Sequence, residues 1–186
     1  MKTNILILLA VGLFAGAAVG AAETPTAKPT MPPAARVGTY DSRAVAFAYF
    51  WSAAQQQTLK ERMAAAKAAK AAGDQAAYAA IAQEMKERQS RNHLQVFSTA
   101  PVDDAMAALK ARLPQLAAQA GVGDFVSKWD EAALQKFPMD ARVDMTDLLV
   151  QEFKLPESQQ KVLETIKRAP PVPLDEARRL DAAGKM

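Results

Sequence analysis

From Arg43 to Ala72 the chain runs thirty residues without a glycine or a proline. Ala, Gln, Lys, Glu and Met dominate this stretch, and these are strong helix formers. At 1.5 Å per residue such a helix is about 45 Å long, so the fold has to accommodate one slender, extended element. Just before it, RVGTYDSRAVAFAYFW (Arg36 to Trp51) concentrates bulky apolar side chains. Bulk gathered at one end of a thin helix predicts a root packed on a body and a lean distal part.

The turn at the far end is legible too. Gly73 suits the left-handed residue that closes a helix, and Asp74 suits the cap of the next one. A second helix is expected from Gln75 to about Phe97, antiparallel to the first because the connection is short. Leu59, Met63 and Ala66 on one helix face Tyr78, Ile81 or Ala82, and Met85 on the other at helical spacing. The seam is narrow and thins to alanine at its tip.

Half of the 186 residues are apolar, yet aromatics make up only 6% and alanine much of the rest. Alanine buries little area, so at ~25 cal/mol per Å² the composition favours helices over a large core. Lys2, the apolar run Ile5 to Phe14 and the small residues up to Ala22 predict a cleaved secretory signal over residues 1–22. Residues 23–35, ETPTAKPTMPPAA, read as a Pro/Thr-rich linker. The expected location is therefore the periplasm. With no cysteine, disulfides, thiol catalysis and thiolate metal sites drop out together. The formal charge is +3, or +2 without Lys2, with acidic and basic residues interspersed, and no nucleic-acid partner is expected.

Val37 to Tyr40 reads as a strand, and Asp41 or Ser42 as the cap of the helix after it. Beyond Phe97, Ser98 or Thr99 is expected to cap a helix starting near Pro101. Val102, Met106, Leu109, Leu113 and Leu116 form its apolar stripe, which Pro114 should kink or divide. Phe125-Val126 reads as a strand and Ala133 to Phe137 as a weaker one. Thr146 is expected to cap a helix carrying Leu148 to Phe153. Pro156 opens a further helix whose Val162, Leu163 and Ile166 share a face, and the tail joins a polyproline stretch to a short charged helix. The expected fold is thus α+β and mostly helical. A long antiparallel helical hairpin (about 43–97) projects from a small body of short β-strands and helices (36–42 and 98–154). Residues 155–186 form a helical, Pro-rich extension.

Chemistry-bearing residues are sparse. His93 stands alone as the only histidine, so neither a metal ligand set nor a base with partners is expected around it. Asp103-Asp104 and the Asp144, Thr146, Asp147 cluster read as helix-start carboxylates and caps. Without a Gly-rich phosphate loop either, the expectation is no enzyme, no cofactor and no metal. Lys60, Arg62, Lys67, Lys70, Lys86, Arg88 and Arg91 decorate the two long helices. They read as a solvated face, and in the functional reading as a basic lining that binds acidic clients or transiently touches an anionic membrane surface.

Three segments in order, RVGTYDSRAV (36–45), AAQAGVGDFVSKWD (117–130) and VDMTDLLVQEF (143–153), give residues 36–154 a resemblance to the Skp/OmpH family of periplasmic chaperones. That resemblance implies a homotrimer whose strands form a joint barrel and whose hairpins shelter unfolded outer-membrane proteins without ATP. Trimerisation would cover strand edges that a few short strands leave open. LPESQQKVLETI (155–166) is similar, at Leu155 and Gln159, to the Leu-Thr-x-x-Gln motif of Spy/CpxP-type stress proteins, which are all-helical. A purely structural envelope protein is the third alternative.

Overall fold

A computed structural model describes residues 36–185, and the signal and linker expected over 1–35 lie outside the described residues. The body is organised around β1 (Val37–Tyr40), which pairs in parallel with β2 (Asp124–Ser127) on one side and β3 (Arg142–Asp144) on the other. Gly38 lies opposite both Phe125 and Val143. Two portions of chain more than eighty residues apart therefore meet in one sheet. A Cβ on Gly38 would come within 2.8 Å of Met145 Cγ and 3.1 Å of the Phe125 ring. Met145 is fully buried and has nowhere to move.

The Asp41 carboxylate accepts from the Arg43 backbone N–H and starts α1 (Ser42–Trp51). Seven consecutive residues of α1, Ser42 to Ala48, are buried. Val45 and Phe47 share a core cluster with Leu109, Leu116, Met145, Leu149, Leu163 and Ile166. The Phe153 and Tyr49 rings pack at a tilt beside them, their centres 5.5 Å apart.

The thirty-residue helix expected from Arg43 is broken at Ser52. Its backbone leaves the helical region at φ −60°, ψ 150°, and its hydroxyl accepts from Gln55 N–H to cap α2 (Ala53–Ala71). Serine competes for backbone partners in this way. The break also divides two environments, since no residue of α2 is buried. The turn forms as expected: Gly73 takes φ 73°, and Asp74 accepts from Ala77 N–H at 2.9 Å to cap α3 (Gln75–Phe97). Arg62 pairs with Glu84 at 3.1 Å, and Arg88 donates to the Gln55 backbone and side chain at 3.1 and 2.8 Å. These contacts hold α2 and α3 side by side.

After α3, Ser98 does not cap a helix at Pro101. Its hydroxyl donates to Leu94 O and accepts from Ala100 N–H, closing the end of α3 instead. The apolar stripe is divided as Pro114 requires, into α4 (Asp103–Ala108) and α5 (Leu113–Ala120), which ends on left-handed Gly121. The strand expected over Ala133 to Phe137 is a correction. Asp130 accepts from Ala133 N–H and starts the short α6 (Glu131–Leu134), and the strand forms later, at β3. In α7 (Thr146–Glu152) the roles of Thr146 and Asp144 are exchanged. Asp144 accepts from both the N–H and the hydroxyl of Thr146, whose oxygen in turn accepts from Asp41 N–H at 3.0 Å.

Helix α8 (Glu157–Arg168) buries Leu163 and Ile166, while Val162 stays exposed at 44% rather than sharing their face. Helix α9 (Leu174–Ala182) packs along α3, where Ser90 bonds to Asp181. Ahead of it, Val172 N–H donates to Phe97 O at 2.9 Å. The molecule is mostly helical with a small parallel sheet, an α+β fold. Gly38→Ala is expected to destabilise it by about 1–3 kcal/mol through overpacking, read as a lowered urea midpoint at unchanged slope.

Candidate functional site

Two places concentrate side-chain chemistry. The first lies where the three parallel strands end. Asp41, following β1, is fully buried; Arg43 Nε and Nη2 grip its two carboxylate oxygens at 3.1 and 3.0 Å. Lys128, following β2, adds its ammonium at 3.2 Å, and the Trp129 indole N–H points at Asp41 Oδ1 from 3.4 Å. The Arg43 guanidinium lies 5.0 Å from the Trp129 ring centre, within cation–π range, and donates onward to Ala169 O at 2.7 Å. Burial alone would raise the Asp41 pKa, but the hydrogen bond from Arg43 and the charge of Lys128 outweigh it and hold the carboxyl below its ordinary value. Closed to solvent and surrounded by donors, this carboxylate is an anchor. Next to it, burial first and the charges of Asp103, Asp124 and Asp130 second push the Tyr40 phenol up.

The second place is open. A groove of about 780 Å³ runs between α2 and α3 down to the end of α1. Leu59 and Met63 form one wall, Met85 and Phe97 the other, and Phe50 and Trp51 close the root. Met63 and Phe97 are exposed at 56% and 49%, unusual for side chains of this size that line a concave surface. The break at Ser52 contributes to this shape. It lets Phe47 enter the core while Phe50 and Trp51, packed edge to face at 5.6 Å, stay half-buried at the groove.

The basic residues expected on the long helices are distributed unevenly around this groove. Lys86 and Arg88 line it. Lys70 places its ammonium 5.9 Å from the ring of Tyr78, which lines the groove at its far end. Arg62 is taken by Glu84, and Lys60 and Lys67 are exposed on α2. Arg91 points elsewhere, into a polar depression it shares with Asp103, Asp104 and Arg178. His93 sits in the groove with its ring 6.1 Å from Phe97. Sequence reasoning favours a surface or helix-base position for His93 but assigns neither it nor Phe97 to an apolar groove. Their spacing from Met85 and Gln89 along one helical face is the signal that could have found them. The Asp41–Arg43–Trp129 cluster was not legible, because Trp129 is eighty-eight residues from its partner. Searches of protein-family models, curated proteins and solved structures returned no match for this chain.

Replacing Arg43 by Met strands a buried charge, and a loss of about 3–5 kcal/mol is expected in chemical unfolding. The Asp41 contribution has a defined pH window. Its folded pKa is depressed, so its stabilisation is complete above the unfolded value of ~3.9 and is lost as pH falls through the folded value. Asp41→Asn should therefore be less stable than the parent at neutral pH and lose less on acidification below about pH 4, measured by urea titration at each pH.

Proposed function

We propose that this chain is a periplasmic, ATP-independent polypeptide-binding protein, a holdase or scaffold distantly related to the Skp/OmpH chaperones, and not an enzyme. In this reading α2 and α3 are the antiparallel hairpin that projects from the body, with the oligomer, a trimer by the resemblance, covering the open edges of β2 and β3. Unfolded outer-membrane proteins are its clients, and no cofactor takes part. The signal expected over residues 1–22 delivers it to the envelope.

The observation that carries this reading is the groove itself. Large apolar side chains, Met63 and Phe97 above all, stand half in solvent on a concave surface. Exposed contiguous apolar surface of this kind marks interaction sites. Methionine suits a surface that accepts varied partners, because its side chain is flexible and polarisable. The buried Asp41 offers no access for substrate, and the groove lining holds no nucleophile–base pair. An all-helical stress protein of the Spy/CpxP type gains no support from a three-stranded sheet.

Light scattering tests the proposal. Residues 23–186, mixed with an outer-membrane β-barrel diluted from urea, should suppress its aggregation, and native mass should show an oligomer. Met63→Gln with Phe97→Gln should weaken suppression several-fold. Because both side chains are already exposed, stability should change by no more than about 0.5 kcal/mol per site. A monomer without effect on aggregation overturns the proposal.

A further inference from the structure

The groove has a sign. Its lining includes Lys86 and Arg88 and not one carboxylate, and Lys70 stands over Tyr78 at the far end. Among the described residues none of these three forms an ion pair, whereas the neighbouring Arg62 is neutralised by Glu84. Arg88 is held in place by two bonds to Gln55, a neutral partner, at the divide between the groove and the polar depression that Glu87, Asp103 and Asp104 line. The two acidic side chains of α3, Glu84 and Glu87, do not line the groove: Glu87 bonds with Gln83 and lines the polar depression, and Glu84 is paired with Arg62.

The groove also has a length. Along α3 the lining runs from Tyr78 to Phe97, about 28 Å at 1.5 Å per residue. That matches a helical segment of about five turns at 5.4 Å each, with apolar anchors at i, i+4 and i+7. The lining is not wholly apolar, for Gln89, Asn92 and His93 share it with the hydrophobic side chains. An acyl chain laid over these groups would desolvate them without giving a partner in return. A peptide carries its own donors and acceptors.

We propose that the groove is a dock for an amphipathic, acidic segment of another polypeptide. Its apolar anchors would rest between Met63 and Phe97, and its carboxylates would meet Lys86, Arg88 and Lys70. This deepens the polypeptide-binding reading and rests on it. It converts general affinity for exposed apolar chain into a preference, set by charge, for one class of segment.

Fluorescence anisotropy with two labelled twenty-residue peptides tests it. Both carry Leu and Phe on one helical face; one has Asp and Glu on its flanks, the other Lys and Arg. The acidic peptide should bind about tenfold more tightly at low ionic strength, as expected for a few exposed ion pairs, and the gap should narrow in high salt. Lys86 is exposed, so Lys86→Glu should fold normally, weaken the acidic peptide several-fold and strengthen the basic one. Phe97→Gln should weaken both alike. Equal affinity for the two peptides, a gap unaltered by Lys86→Glu, or binding of oleate in place of either peptide overturns the inference. The aggregation assay on the same sample separates the two levels. Suppression without peptide preference removes this inference and leaves the holdase reading, whereas loss of both removes both.

Discussion

One buried carboxylate holds the body together. Asp41 ends the central strand, starts the central helix, and receives Arg43, Lys128 and Trp129 from around it. Its backbone N–H reaches Thr146 at the head of α7. β1 and β2 thus run into the charge itself, β3 is joined to the Asp41 backbone through Asp144 and Thr146, and Arg43 extends the link to Ala169 beyond α8. A charge removed from water is costly unless every oxygen is satisfied. Satisfaction of its oxygens comes from two parts of the chain, Arg43 beside it and Lys128–Trp129, while its backbone N–H and Arg43 reach two more, at Thr146 and Ala169. The cluster therefore selects one arrangement of those parts over others of similar apolar burial.

The distribution of hydrophobic bulk follows from that arrangement. Helix α1 is enclosed on most sides and supplies Val45 and Phe47 to the core. From Ser52 to the end of α3 the chain contributes almost nothing to it: α2 buries no residue, and α3 buries only Gln95 and Val96 near its end. The two long helices are held by intrinsic propensity, by caps, and by a seam with a few polar links. Such elements open locally at lower free energy than a packed core does. A rigid base and a compliant pair of helices are the natural result, and the groove lies where one passes into the other.

Features written in adjacent residues were readable from the sequence. The strand at Val37, the cap at Asp41, the Gly73–Asp74 turn and the division at Pro114 each depend on side chains within a few positions of one another. What escaped depends on distance or on competition. Ser52 sits in a stretch of strong helix formers, and only the tertiary demand to bury one half and expose the other makes its break worthwhile. The three residues of β3 are too few to show alternation, and their strand exists because β1 offers a free edge. Ala133 to Phe137 had apolar content suited to a strand, but Asp130 caps a helix there first. Of the groove, the seam residues Leu59, Met63, Tyr78 and Met85 were visible as a periodic face. The aromatic bulk at Phe50 and Trp51 was legible as a root, but read chiefly as core packing; its opening toward Phe97 depends on the break at Ser52.

The bridge between Ser98 and Val172 has a bearing on how the molecule is made. Phe97 lines the groove, yet its carbonyl is fixed by Val172, which follows it far along the chain, beyond α8. A polypeptide leaving the ribosome in order exposes both long helices well before Val172 appears. During that interval the two helices exist without the tether that sets the last turn of α3. The surface between the helices thus acquires its finished form only once the chain through Val172 has emerged and bonded to Phe97.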